Sequence, residues 1–210
     1  MAEHVPAFQF ASAAQQEEAA TLGMWTFLAT EILFFGALVA GYSAYRLTHA
    51  QEFVEAARHT KIILGTANTA ILLTSSAFMA NAVEAREAGS RRLAMVCLVL
   101  TALLGLAFLA VKGWEYRLEY GEHLVPGLNF DSVRYGDIAQ LFFLFYFFAT
   151  GLHALHLGIG IAMVGGLAVR TASDRPPRNA TMRMIGLYWH FVDVVWIFLF
   201  PLIYLVGRNQ

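Results

Sequence analysis

The chain has 210 residues, of which 58% are hydrophobic and 14% are charged, and its formal net charge is −1. The charged fraction is well below the roughly 25% of an ordinary soluble domain, which indicates an integral membrane protein. A net charge this close to zero excludes a nucleic-acid partner, because such binding requires a surplus of clustered Lys and Arg. The single cysteine, Cys97, excludes an internal disulfide and a thiolate-bound metal centre within the chain.

Residues 1–21 form a polar extension without Lys or Arg, and we expect it to be loosely ordered outside the bilayer. It does not resemble a cleaved signal peptide, because it has no apolar core. The first apolar segment, residues 22–45, would reach about 36 Å as a helix, enough to cross a hydrocarbon core of about 30 Å. Glu31 lies near its middle, where a charged side chain costs at least a few kcal/mol unless it is paired, protonated or hydrated.

Four further apolar segments are long enough to cross a membrane as helices. The connections between them leave no room for a soluble domain. The sequence therefore predicts an all-α, polytopic membrane protein in which residues 22–210 form a bundle of five transmembrane helices. Lys and Arg divide equally between the two sides, but they are denser in residues 84–92 and 170–183, which favours a cytoplasmic amino terminus and a carboxyl terminus outside. The four segments are about 62–83, 93–111, 138–169 and 184–206.

Small and hydroxyl-bearing residues indicate how the predicted helices pack. Gly36, Ala40 and Ala44 recur at four-residue spacing, a stripe that lets another helix backbone approach closely. The second segment is polar for a membrane span, and we interpret its polar side chains as interhelical hydrogen-bonding groups. They are Asn68, Thr69, Thr74, Ser75 and Ser76.

Besides Glu31, the ionisable residues within the apolar segments are His153 and His156 in the fourth and His190 and Asp193 in the fifth. The first and fifth helices are predicted to run parallel, which puts Glu31 and Asp193 at similar depth, and the fourth helix brings its histidines near the middle as well. Each pair on one helix is three residues apart, about 60° around the axis, so both members can face the same interior. We therefore expect one polar cluster at mid-membrane.

Three interpretations of this cluster are open. It could be a metal or haem site, although two histidines at i, i+3 cannot be opposite axial ligands of one haem. It could be a proton route, although the second and third segments carry no ionisable residue in their cores. We favour a structural cluster, in which the groups satisfy one another and fix helix rotation and register. On this interpretation the chain has no catalytic, cofactor-binding or metal-ligating residue.

Several ordered motifs occur along nearly the whole chain from Leu22 onward. They are Thr30-Glu31, Asn68-Thr69, Glu115-Tyr116, the run FFATGLHALH at residues 147–156 and the run YWHFVDVVW at residues 188–196. Together they resemble the cytochrome c oxidase subunit III family, in its five-helix bacterial form. The resemblance implies membership of a haem-copper terminal oxidase, a translocase that passes electrons from cytochrome c to oxygen in aerobic respiration and pumps protons across the bacterial cell membrane.

The resemblance also implies a role and a set of partners. Haem and copper belong to subunits I and II of that family, whereas subunit III carries no redox centre, flanks subunit I, supports its proton uptake and protects it from inactivation. The implied partners are subunit I directly, subunit II, further small subunits and membrane lipids, with cytochrome c as an indirect partner. The alternatives are subunit III of a quinol oxidase, an accessory subunit of nitric oxide reductase and, more remotely, an autonomous proton channel or transporter.

Two positions carry an implied lipid role. Glu31 matches an intramembrane glutamate that reacts with carbodiimides in some members of the family and lies near bound lipid. Arg170 matches a position where similar proteins hold a phospholipid headgroup. The chain departs from the longer members, which have seven helices and a lipid cleft between the first two and the rest, since it begins at the equivalent of the third.

Overall fold

The structure is a computed structural model that describes residues 9–173 and 177–207. Within these ranges it contains seven α-helices. Five of these helices are long and apolar enough to cross a membrane, and the described ranges contain no strand. The prediction of an all-α protein with five transmembrane helices is confirmed. In chain order the helices are α1 (Ala13–Thr48), α2 (Ala50–Arg58), α3 (Ile62–Glu87), α4 (Arg91–Gly121), α5 (Ser132–Tyr135), α6 (Asp137–Ala172) and α7 (Asn179–Tyr204).

Helix α1 begins well before the predicted apolar segment. Ser12 caps it, because its hydroxyl accepts a hydrogen bond from the Gln15 amide at 3.2 Å. Residues 13–21 are therefore helical, contrary to the loose order expected of them. Their Ala, Gln and Glu side chains have high helix propensity, and the serine cap adds about 1 kcal/mol. Residues 1–8 of the predicted extension lie outside the described residues.

Helix α4 continues to Gly121, well past its predicted end at residue 111. Lys112, Glu115 and Glu119 therefore belong to the helix, and their i, i+3, i+7 spacing puts them on one face. That face is buried, so the prediction that the third membrane helix has no ionisable residue in its core is wrong. The end of α4 was predicted too early because an apolar run identifies only the part of a helix that is hydrophobic on every side. The last part of α4 has a polar face, so the helix continues after the apolar run has ended.

Helices α3, α4, α6 and α7 form the centre of the bundle, with interfaces between α3 and α4, α4 and α6, α6 and α7, and α3 and α7. The two ends of the bundle are tied by charged side chains. At one end Lys61, before α3, contacts Glu122, after α4, at 2.6 Å. At the other end the Arg91 guanidinium donates to the Thr171 carbonyl oxygen at 2.6 Å. These contacts show that the start of α3 lies beside the end of α4 and the start of α4 beside the end of α6, so neighbouring helices run in opposite directions.

Helix α1 lies at the edge of the bundle, against α6 and α7. Its buried side chains, Leu28, Phe35 and Tyr42, recur at heptad spacing and face inward. The Tyr42 hydroxyl donates to the Leu202 carbonyl oxygen at 2.9 Å, which satisfies one of the free carbonyls in the last turn of α7. Much of the opposite side of α1, including Leu33, is apolar and exposed.

Close approach between helices occurs at Gly105 of α4 instead of at the predicted stripe. A Cβ at Gly105 would lie 2.8 Å from the buried Trp189 ring and 2.9 Å from Ile161. A Cβ at Gly36 would meet nothing within 4 Å, and Ala40 is exposed. The prediction that this stripe packs closely against another helix of the chain is therefore wrong. Small residues allow close packing, but they do not decide which face of a helix turns inward.

Candidate functional site

Glu31 and His156 make a contact between α1 and α6. Glu31 Oε2 lies 3.2 Å from His156 Nε2, while His156 Nδ1 lies 2.9 Å from the Leu152 carbonyl oxygen. A carbonyl oxygen only accepts, so Nδ1 carries a hydrogen and the Nε2 contact needs one further proton on either partner. The two side chains are 19% and 13% exposed, which places this proton-sharing pair at the edge of the bundle.

His153 is fully buried and faces a different neighbour. Its ring centroid lies 5.5 Å from that of Phe108 on α4 and 5.1 Å from that of Trp196 on α7. Neither ring nitrogen has a hydrogen-bond partner among the described residues. His153 therefore contributes to an aromatic contact between α4, α6 and α7 and not to the contact with α1.

His190 and Asp193 turn toward α3. His190 Nδ1 lies 2.7 Å from the Ser76 hydroxyl oxygen. Asp193 is 3% exposed and lies close to the same hydroxyl. Within the described ranges, however, neither of its carboxyl oxygens makes a hydrogen bond. Ser76 was interpreted from the sequence as an interhelical bonding group, and its contact with His190 of α7 confirms this.

The five predicted residues therefore do not form one cluster, and that expectation is corrected. Of the other four residues, His156 is the one to which Glu31 hydrogen-bonds in the described part of the chain, whereas His190 contacts Ser76 and His153 lies among aromatic rings. The reason is that equal depth does not imply proximity in a bundle with four helices at its centre. The 60° between His153 and His156 is enough to direct them to different neighbouring helices.

Other polar residues of α3 bond to α7 as interpreted from the sequence. The indole of Trp196 donates to the Thr69 hydroxyl at 3.0 Å, and the indole of Trp189 donates to the Ser75 hydroxyl at 3.2 Å. Thr74 instead donates to its own backbone, at the Ala70 carbonyl oxygen. The α3–α7 interface is thus fixed by side-chain hydrogen bonds as well as by packing.

The most extensive polar site was not anticipated, and we call it the Lys112 cluster. It consists of Lys112, Glu115 and Glu119 on α4, Tyr146 on α6 and Tyr204 on α7, none of which is more than 2% exposed. The Lys112 ammonium donates to Glu115 Oε2 at 3.1 Å, to the Tyr146 oxygen at 2.7 Å and to the Tyr204 oxygen at 2.5 Å. The sequence did contain a pattern that indicates this site. The three charged residues of α4 have the spacing of one helix face, which favours a helix over a loop in this part of the chain.

An apolar groove runs between α1 and α7 with a volume of about 540 Å³. Trp25, Phe35 and Phe198 contribute large rings to its lining, and His190 is the ionisable residue in that lining. Within a bilayer such a groove faces acyl chains or the apolar surface of a neighbouring subunit.

A polar cleft of about 470 Å³ lies at the end of the bundle formed by α2, α5 and the start of α6. Glu55, His59, Arg134 and Asp137 line it, so both signs of charge are present. Burial lowers the pKa of His59 from its ordinary value of 6.5, although the charge of Glu122 acts in the opposite direction. In the described part of the chain no group of three or more His, Cys, Asp or Glu residues is placed to hold a metal ion.

Comparison with known proteins decides the family. A family model for cytochrome c oxidase subunit III matches residues 7–208. This chain belongs to the cytochrome c oxidase subunit III family. The cytochrome c oxidase subunit 3 of Thermostichus vulcanus is 32% identical to it over 192 residues, which cover 89% of this chain and 87% of that protein.

Two further relatives of this subunit III family member differ in their names. The cytochrome c oxidase subunit 3 of Corynebacterium diphtheriae is 35% identical over 191 residues, covering 89% of this chain and 87% of the relative. A probable quinol oxidase subunit 3 of Staphylococcus saprophyticus is 29% identical over 195 residues, covering 89% and 88%. The family therefore includes subunits named for either electron donor.

The two longest motifs of the subunit III resemblance pack against each other. The Tyr188 hydroxyl, from the run at residues 188–196, donates to the His156 carbonyl oxygen, from the run at residues 147–156, at 3.0 Å. Trp196 and His153, from the same two runs, are in ring contact. In this subunit III chain the motif residues thus hold α6 and α7 together.

Proposed function

We propose that this chain is the non-redox core subunit of a proton-pumping haem-copper oxidase that transfers electrons from cytochrome c to oxygen. Membership of the subunit III family over residues 7–208 is the observation that carries the proposal. The names of the Thermostichus and Corynebacterium relatives favour cytochrome c as donor. A quinol oxidase is the second candidate, because the Staphylococcus relative is named for that donor.

The proposed contribution of the chain is mechanical support of subunit I, including its proton uptake, within the bacterial cell membrane. The centre of the bundle is rigidly connected, because tryptophan indoles, tyrosine hydroxyls and Lys112 all bond between helices. The exposed face of α1 and the groove beside it offer a broad apolar surface for membrane neighbours. Subunit I or lipid covers such a surface in the complex we propose, with the haem and copper in the partner subunits.

Lipid binding is part of the same proposal. Arg170 is exposed in the last turn of α6, where its guanidinium can reach the headgroup region. Glu31 is partly exposed where α1 meets α6, at the edge of the bundle. A phospholipid headgroup near Arg170 and an acyl chain along α1 would fit this arrangement.

Purification of the tagged chain in a mild detergent tests the proposal. We expect it to copurify with haem-bearing and copper-bearing subunits, and the complex to reduce oxygen faster with reduced cytochrome c than with a quinol. A matched complex lacking this chain should start with nearly normal activity and lose it progressively during turnover. The comparison isolates the supporting role, since both complexes contain the same redox centres.

Three results would count against specific parts of the proposal. A preference for quinol would replace the donor, and copurification with a nitric oxide reductase would replace the enzyme. Isolation of a colourless chain that conducts protons alone in proteoliposomes would support the channel and remove the oxidase role. Equal stability of the two complexes during turnover would contradict the protective role.

A further inference from the structure

The Lys112 cluster contains more acid than base. One ammonium and two carboxyl groups lie at its centre, with Lys112 2% exposed and Glu115 and Glu119 both fully buried. If all three were ionised, the cluster would carry one uncompensated negative charge in the interior of a membrane protein. An unpaired buried ion costs several kcal/mol, and two carboxyl groups that share a site avoid this cost by retaining a proton.

The hydrogen atoms of the cluster lead to the same conclusion. The three ammonium hydrogens of Lys112 point to Glu115 Oε2, the Tyr146 oxygen and the Tyr204 oxygen, so all are used. The Tyr204 hydroxyl donates to Glu115 Oε1 at 2.8 Å. Only the Tyr146 hydroxyl hydrogen remains, since tyrosine has a single donor.

Tyr146 has one hydrogen for two carboxyl groups. Its oxygen lies 2.6 Å from Glu119 Oε1 and 3.1 Å from Glu115 Oε1. If both carboxyl groups were ionised, one of these close oxygen pairs would have no hydrogen between its atoms. A proton on Glu119 Oε1 removes the conflict, because Glu119 then donates to the Tyr146 oxygen and Tyr146 donates to Glu115.

With this proton in place every donor in the cluster has an acceptor. Glu119 Oε2, which has no hydrogen-bond partner in the described part of the chain, becomes the carbonyl oxygen of a neutral acid. An unpaired carbonyl oxygen is the least costly polar atom to leave without a partner, whereas an unpaired carboxylate oxygen carries charge. The assignment therefore also explains why the orphaned atom belongs to Glu119 and not to Glu115.

We propose that Glu119 is a proton-binding site, at which one exchangeable proton is held between the Glu119 carboxyl and the Tyr146 hydroxyl oxygen. Lys112 and Glu115 form the charged pair beside it. Outside the cluster, the charge of Lys61, just before α3, also acts on Glu119, and its ammonium is held by Glu122. The polar groups that face the site are Lys112, Glu115 and Tyr116 from α4, Tyr146 from α6 and Tyr204 from α7.

The site lies toward an end of the bundle, which allows the proton to exchange. Glu119 is in the last turn of α4, and the Lys61–Glu122 pair just beyond it is 31% and 41% exposed. Glu122 of this partly exposed pair lies three residues beyond Glu119 along the chain, so the buried site is close to the end of the bundle. All of these contacts lie within the chain, so the proton-binding site does not depend on the proposed oxidase role.

Isotope-edited infrared spectroscopy of the chain, purified with the subunits that accompany it and labelled with ¹³C-glutamate, tests the assignment. At neutral pH we expect a carbonyl-stretch band from a protonated glutamic acid, and loss of one group's intensity in Glu119→Gln. Glu84→Gln, on the exposed side of α3, is the matched control and should leave the band unchanged. Absence of the band, or its full persistence in Glu119→Gln, would overturn the proposal.

Thermal stability distinguishes Glu119 from Glu115 as the proton-binding residue. Glu119→Gln replaces one neutral group with another, and the glutamine amide nitrogen can donate to the Tyr146 oxygen as the carboxylic acid does, so we expect an unchanged midpoint. Glu115→Gln removes the charge that Lys112 needs and should lower the midpoint by several degrees. A Glu119→Gln chain that unfolds as early as Glu115→Gln would show that Glu119 is ionised and would overturn the assignment. Neither readout involves oxygen reduction, so failure here leaves the proposed function standing.

Discussion

Replacement of Lys112 with methionine is the most informative perturbation of this bundle. Methionine has nearly the same length and fills the same space, but it removes the ammonium and its three hydrogen bonds. Glu115 would then keep a negative charge without its partner in a fully buried position. The tyrosine oxygens of residues 146 and 204 would each lose a donor.

The expected magnitude follows from burial. Removal of one partner of a buried ion pair costs about 3–5 kcal/mol, whereas loss of an exposed pair costs about 0.2–1 kcal/mol. Lys61→Met provides the matched control, because it breaks a lysine–glutamate pair at the same end of the bundle whose members are 31% and 41% exposed. For a chain of this length each kcal/mol shifts the midpoint by about 2–4 °C, so we expect about 6–20 °C for Lys112→Met and at most about 4 °C for Lys61→Met.

The assay is the fraction of chain that remains monodisperse in detergent after heating, measured by size-exclusion chromatography. Wild type, Lys112→Met and Lys61→Met are heated in parallel at the same detergent concentration. A Lys112→Met midpoint no lower than that of Lys61→Met would refute the reasoning, because it would mean that Lys112 contributes no more than a surface charge.

Three further predictions follow from individual contacts. Glu31→Gln should leave the complex assembled with a modest loss of oxygen consumption, since the His156 contact is a single pair at the edge of the bundle; complete loss of oxygen reduction with normal haem content would contradict this. Gly105→Ala should be less stable than Gly113→Ala by about 1–3 kcal/mol, because both gain helix propensity but only the first overlaps a buried tryptophan ring; equal midpoints would disprove the close packing. Burial lowers the pKa of His59, so protons favour the unfolded chain and stability should fall as the pH drops below about 6.5; His59→Gln should flatten this fall, and an unchanged pH profile would exclude the effect.

The sequence by itself determined the number of membrane-spanning helices. A helix that crosses a bilayer must present apolar side chains over most of its surface, so composition along the chain predicts the spans directly. The same reasoning located the boundaries less well at α4, because a buried polar face interrupts the apolar run without ending the helix. The ordered motifs at residues 147–156 and 188–196 indicated the subunit III family, which the family match over residues 7–208 confirms.

Only the tertiary structure decided which polar groups meet. Depth along a helix can be counted from the sequence, but the rotation of a helix that is apolar on every side leaves almost no periodic signal. Glu31 therefore reached His156 and not His153, and His190 paired with a serine of α3. The Lys112 cluster arose because α4, α6 and α7 converge on one point, and such a convergence depends on contacts between segments far apart in the chain.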